Sequence, residues 1–176
     1  MLSVCFFYDA LQLFLQQHRP MKNLMKEKLI YNFFSDDDFL RISNKITEAE
    51  KSTSGEIRVS IRENPPFFKR KKEIRKLAEE EFYRLNMHST RDKTGILLYL
   101  LLGQRKFYIL ADEGINAKVP QSTWDSFRDE IQNEFRNGHF TKGILFGIEQ
   151  VGKILSEHFP IKQDDTNELS NKIIVS

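Results

Sequence analysis

Four carboxylates stand at the ends of predicted strands, and they are the residues of this sequence whose types and spacing can do chemistry. Glu56 opens one strand, Asp92 lies just before a second, and Asp112 and Glu113 follow a third. A right-handed crossover would start the first two strands at one edge of a sheet, and a hairpin would return the third strand to that edge. Several oxygen ligands without a soft ligand favour a hard cation, calcium or magnesium. The four residues are therefore candidate metal ligands.

A second interpretation of the same residues involves no ligand. The carboxylates can solvate strand ends, with Asp92 and Asp112 bonding nearby backbone amides in turns. The predicted edge lies at the amino ends of the parallel strands, whereas ligands of open α/β sheets usually bind at the carboxyl ends. The residues alone leave both interpretations open.

Other chemical motifs are weak or absent in the sequence. The single cysteine, Cys5, has no second thiol for a disulfide or a Cys-based metal site, and the four histidines form no metal-ligating pair at helical spacing. Phosphate-binding glycine loops and a serine nucleophile elbow are also absent, so no catalytic residue is identified. Residues 67–72 interleave two phenylalanines with four cations, but the net charge of +2 favours a solvated helix entrance, and no nucleic-acid partner is expected.

The periodicity of apolar residues predicts helices and strands in the order α-β-α-β-β-α-α. Ser35 and Asp38 resemble a capping box before a helix over about 36–51, and Ile57, Val59 and Ile61 alternate with polar residues as in a half-buried strand. Residues 96–102 form a continuous apolar run, typical of a strand buried on both faces, and a hairpin follows. We predict the α/β class, a three-layer α/β/α sandwich with a mixed central sheet.

A chain of 176 residues with 15 phenylalanines can build one compact domain. We assign residues 35–176 to that domain and residues 1–34 to an N-terminal extension, partly helical or disordered; a translation start at Met21 or Met25 would remove much of it. Asp9 interrupts the apolar N-terminal stretch, which is shorter than a membrane span of roughly 20 residues. The protein is expected to be soluble, cytoplasmic and monomeric.

Several motifs together resemble a known family. They lie, in order, at residues 48–59, 90–98 and 109–115, at Trp124, and at residues 140–144 and 155–160. Their order and spacing are similar to the TPM domain family, which includes bacterial proteins and a plant thylakoid lumen protein involved in photosystem II repair. The resemblance spans roughly residues 36–170, which is nearly the whole predicted domain.

The resemblance implies an α/β/α sandwich with calcium or another divalent ion near acidic loops. Of the acidic positions that the resemblance implies, this chain matches those at Asp92 and Asp112 and, less closely, those at Glu56 and Glu113. The leading hypothesis is a soluble module that binds a divalent cation and acts by binding an unknown protein partner. The plant member is described as an acid phosphatase, so a metal-assisted phosphatase is the alternative, and a structural interaction domain whose carboxylates bind nothing is a third.

Overall fold

A computed structural model of the chain describes residues 28–161, 170 and 172–176, together with the backbone of residues 5–6. The helices and strands are, in chain order, β1 (Cys5–Phe6), α1 (Asp36–Glu50), β2 (Glu56–Arg62), α2 (Ile74–Arg84), β3 (Gly95–Leu101), β4 (Lys106–Ala111), α3 (Glu113–Asn116), α4 (Gln121–Arg136), α5 (Phe140–His158) and β5 (Ile174–Val175). Short 3-10 helices span Leu29–Asn32, Phe67–Lys69, Met87–Ser89 and Leu102–Gln104.

The strands form one mixed sheet in the order β1-β4-β3-β2-β5. Strands β2 and β3 are parallel and pair Glu56 with Gly95 at their start, whereas β3 and β4 are antiparallel and pair Ile96 with Ala111. The two short strands are the outermost strands of the sheet, with β1 antiparallel to β4 and β5 parallel to β2. The predicted hairpin of β3 and β4 is confirmed.

The first long helix begins where the sequence predicts it. The Ser35 Oγ accepts a hydrogen bond from the Asp38 amide at 3.2 Å, and the Asp38 carboxylate accepts one from the Ser35 amide at 2.9 Å. Two backbone donors at the start of α1 are thereby satisfied, and the acidic first turn suits the positive end of the helix dipole. The predicted capping box is confirmed.

Helices cover both faces of the sheet. Helices α1, α4 and α5 bury one face of the strands in the larger core, which contains Ile57 of β2 and Leu98 of β3. Helix α2 covers the other face, where Leu77 belongs to a smaller core with Leu97 and Tyr99. The α/β class and the three-layer α/β/α arrangement are confirmed.

Strand β2 departs from the prediction of a half-buried strand. Its polar residues Arg58 and Ser60 are 7% and 0% exposed. Helix α2 covers this polar face, and its residue Glu81 accepts a hydrogen bond from the Ser60 Oγ at 2.7 Å and another from Arg62 at 2.8 Å. The alternation of polar and apolar residues was interpreted as one solvated face. That face is instead buried, and a carboxylate on the covering helix satisfies the polar groups of Ser60 and Arg62.

The described end of the predicted N-terminal extension packs against the domain. Ile30 and Phe34 are buried in the larger core, and the Ile30 amide donates to the Glu63 carboxylate at 3.1 Å. Within the extension, residues 1–4 and 7–27 lie outside the described residues. In the part of the chain that the structure describes, no helix is both long and apolar enough to cross a membrane.

Candidate functional site

The sheet register brings the four predicted ligands to neighbouring strand ends. Glu56 at the start of β2 pairs with Gly95 at the start of β3, and the Asp112 amide donates to the Gly95 carbonyl at 2.9 Å. The first two strands therefore begin, and β4 ends, at one edge of the sheet, as the sequence predicted. We call Glu56, Asp92, Asp112 and Glu113 the acidic edge.

Asp112 has one satisfied and one unsatisfied carboxylate oxygen. It caps the short helix α3, where its Oδ1 accepts from the Glu113 amide at 2.9 Å. Its Oδ2 is buried and meets no hydrogen-bond donor among the described residues. An enclosed carboxylate oxygen without a donor is costly, and either a cation or a donor would relieve that cost. Asp112 therefore combines a role in the fold with an unused ligand atom.

The loop that carries Asp92 lies against the start of α3. The Gly114 amide donates to the Lys93 carbonyl at 3.1 Å, and a Cβ atom at position 114 would lie 2.3 Å from the Asp92 carbonyl oxygen. Glycine permits this approach because it has no side chain. The backbone of the Asp92 loop is thus held beside the residues that follow Asp112, and the Asp92 carboxylate lies 3.7 Å from the Nε of Arg91.

Glu56 differs from the other three members of the acidic edge because a buried arginine lies beside it. Arg58 is two residues further along the same face of β2. Burial lowers the pKa of the Arg58 guanidinium, and the charges of Glu56 and Glu50 oppose that shift. The charge of Glu56 is therefore partly balanced within the fold, which reduces its attraction for an added ion.

The acidic edge is a convergence of backbone elements rather than a finished ligand set. Among the described residues, no group of three Asp, Glu, His or Cys side chains is placed to hold a metal ion together. The structure thus brings the strand ends of all four predicted ligands together, but it does not gather their carboxylates around one point. The identity of the ligands stays a prediction.

Sequence reasoning missed a buried carboxylate outside the acidic edge. Glu81 is 4% exposed, and hydrogen bonds reach it from Arg84, Ser60 and Arg62. Burial alone would raise the pKa of Glu81, but these hydrogen bonds outweigh it and lower the pKa to about 2. Its position in the helical spacing of Ala78 and Phe82 was a usable indication of burial. With both oxygens bonded, Glu81 serves the fold.

Comparisons with known proteins agree with the architecture. The family model of the TPM domain matches residues 31–154. The NMR structure of the BA42 protein from the psychrophilic bacterium Bizionia argentinensis is 35% identical, with a TM-score of 0.73, over 82% of this chain and 96% of that chain. The N-terminal domain of a P. gingivalis protein, at 18% identity and a TM-score of 0.56 over 74% of this chain and 83% of that domain, shares the fold. A comparison with curated proteins finds no match.

Proposed function

The chain belongs to the TPM domain family, and we propose that it is a binding module that holds a divalent cation, calcium in first place, at its acidic edge. The observation that carries the proposal is the buried Oδ2 of Asp112, which has no hydrogen-bond donor among the described residues. An anionic oxygen in this condition attracts a cation, because none of the described residues donates a hydrogen bond to it.

The residues of the acidic edge would contribute unequally. Asp112 and Asp92 supply carboxylates from two loops whose backbones are in contact, and Glu113 supplies an exposed carboxylate next to Asp112. Glu56 contributes least, because Arg58 already balances part of its charge. The carboxylates close around the ion as it binds, since they are not gathered beforehand.

Calcium fits this edge better than magnesium. Calcium accepts six to eight oxygen ligands in irregular geometry, including backbone carbonyls, whereas magnesium demands a near-octahedral set and releases its water reluctantly. Two loops that approach through their backbones offer carbonyl and carboxylate oxygens without fixed octahedral positions. We therefore expect calcium to bind more tightly than magnesium.

A calcium titration of the full chain tests the proposal. A ligand that binds only the native state raises its stability by about 2.7 kcal/mol at a concentration of 100 Kd, so calcium should raise the melting temperature. Backbone amide NMR signals around Asp92 and Asp112 should shift in the same titration. The isosteric variants Asp92→Asn and Asp112→Asn should lose both effects, because asparagine keeps the capping oxygen but removes the charge.

The control is Asp129→Asn, which removes an exposed carboxylate of α4 and should leave the calcium response intact. A titration without calcium-dependent shifts at Asp92 and Asp112 would refute the proposal, and so would an unchanged calcium response in both variants. If the wild type hydrolyses p-nitrophenyl phosphate and the variant with both Asp92→Asn and Asp112→Asn does not, the protein is a metal-assisted phosphatase and not a binding module. Hydrolysis that survives there would indicate a contaminant or a different site.

A further inference from the structure

A cavity of about 370 Å³ opens beside the carboxyl end of β4. Small-molecule sites commonly have volumes of this order and combine apolar walls with a few placed polar groups. None of the lining residues is a carboxylate, although several are hydrogen-bond donors. The lining residues are Arg75, Tyr108, Leu110, Ala111, Asn116, Val119, Gln121 and Trp124.

The clearest indication of a ligand is the indole of Trp124. The residue is 1% exposed and lies on the buried face of α4, as its helical spacing predicted. Its Nε1–H is nevertheless buried without a hydrogen-bond partner among the described residues. A buried N–H without an acceptor costs free energy, and an acceptor bound in the cavity would remove that cost.

The amino end of α4 reaches the same cavity through Gln121, the first residue of the helix. Pro120 occupies the capping position and provides no side-chain hydrogen bond, and the first turn contains no acidic residue. The amide N–H groups of a first helical turn attract anions, and the helix dipole adds to this attraction. Neither the capping residue nor the first turn of α4 therefore supplies the negative group that usually accompanies a helix start.

Positive charge comes from the other side of the sheet. Arg75 on α2 lines the cavity. Its Nε donates to the Glu79 carboxylate at 2.8 Å, and the terminal amino groups of the guanidinium can donate to another acceptor. Burial raises the pKa of Tyr108, so its neutral hydroxyl is also available as a donor in the cavity wall. Arginine and tyrosine together favour an acceptor that carries negative charge.

We propose that this cavity binds a small organic carboxylate. Its charged end lies among the donors of Arg75, Trp124 and the amino end of α4. Its apolar body contacts the aliphatic walls formed by Leu110 and Val119. Because none of these residues belongs to the acidic edge, the proposal stands or falls separately from cation binding.

The experiment is a fluorescence titration of the full chain with benzoate, using benzamide as the neutral probe of the same shape. Trp124 is the single tryptophan of the sequence, so the fluorescence reports on the cavity itself. We expect a saturable change with benzoate at a dissociation constant of roughly 1 mM or below, and at least about tenfold weaker binding of benzamide. Inorganic phosphate, which has no apolar body, should bind more weakly than benzoate.

Two neighbouring variants separate the role of Arg75 from general surface charge. Arg75→Gln should weaken benzoate binding about tenfold. Glu79→Gln removes the carboxylate that Arg75 contacts but keeps the guanidinium, so it should retain benzoate binding. Trp124→Phe removes the indole N–H and should weaken benzoate binding about fivefold. Because this variant has no tryptophan fluorescence, its binding is measured from the benzoate-dependent rise in melting temperature. If Arg75→Gln fails to fold, Arg75→Lys replaces it and should bind more weakly than wild type, because lysine lacks the guanidinium fork.

Any one of several results would overturn the proposal. They are the lack of a saturable response to benzoate, equal binding of benzoate and benzamide, and unchanged binding in the folded arginine variant. Tighter binding of phosphate than of benzoate would also reject the organic carboxylate as the ligand class.

Discussion

The buried carboxylate of Glu81 should make the stability of this domain depend on pH in a defined window. Its pKa lies at about 2 instead of 4.5, because hydrogen bonds from Arg84, Ser60 and Arg62 outweigh the opposing effect of burial. At 1.36 kcal/mol per pKa unit, this difference corresponds to about 3 kcal/mol of stability at neutral pH. Arg62 and Arg84 are partly exposed and can be hydrated when the carboxylate is lost, which makes this value an upper estimate.

The sign follows from the direction of the shift. A carboxylate whose pKa is lower in the folded state contributes its full stability above the unfolded pKa of 4.5. The contribution then disappears as the pH falls from about 4.5 to about 2. Glu81→Gln should therefore reduce the free energy of unfolding by about 2–3 kcal/mol at pH 7, and the difference from wild type should vanish near the lower end of that window.

Urea denaturation of both proteins at several values between pH 7 and about pH 3 measures the effect as a difference in unfolding free energy. The matched control is Glu149→Gln, which breaks an exposed ion pair with Lys153 of 2.8 Å on α5 and should cost less than about 0.5 kcal/mol. A Glu81→Gln deficit that stays constant from pH 7 to about pH 3 would show that the lost stability comes from packing and not from the charge. A deficit no larger than that of the control would refute the reasoning altogether.

Two further substitutions test the elements that position the acidic edge and the first helix. Gly114→Ala places a Cβ 2.3 Å from the Asp92 carbonyl and should cost about 1–3 kcal/mol in thermal denaturation. Gly138→Ala, where no atom lies within 4 Å of the new Cβ and only the positive φ is strained, should cost about 1–2 kcal/mol and also leave calcium binding unchanged. Ser35→Ala removes the hydrogen bond from the Asp38 amide and should lower the free energy of unfolding by about 1 kcal/mol in urea denaturation. Ser35→Asn should retain most of the wild-type stability, because asparagine can also cap a helix. Equal losses of stability in the two variants would contradict the capping role.

Local patterns predicted the helices and strands of this fold well, because each has a characteristic spacing of apolar residues and characteristic residues at its ends. The capping residues Ser35 and Asp38 located the start of α1, and the continuous apolar run of β3 correctly indicated a strand buried on both faces. The strand register followed from the crossover and the short hairpin, which together left one arrangement of the strand ends.

The environment of β2 could not be predicted in the same way. Its alternating polar residues describe a half-solvated strand equally well, and burial became possible only because Glu81 reaches Ser60 and Arg62 from a helix about twenty positions away. The cavity was missed for a similar reason. The spacing of Trp124 correctly predicted a core residue, but spacing does not show whether the indole N–H meets an acceptor, since that depends on side chains from α2, β4 and α4.

Both candidate sites depend on the short helix α3. Its capping residue Asp112 belongs to the acidic edge, and its last residue, Asn116, lines the cavity and donates to the Ala111 carbonyl at 2.6 Å. The five residues from Asp112 to Asn116 therefore reach both the acidic edge and the cavity. Because Gly114 fixes this helix against the Asp92 loop, the Gly114→Ala variant should weaken calcium binding more than its loss of stability alone would, whereas Gly138→Ala should not. Equal calcium responses in the two variants would show that the backbone contact is needed for folding only and does not position the ligands.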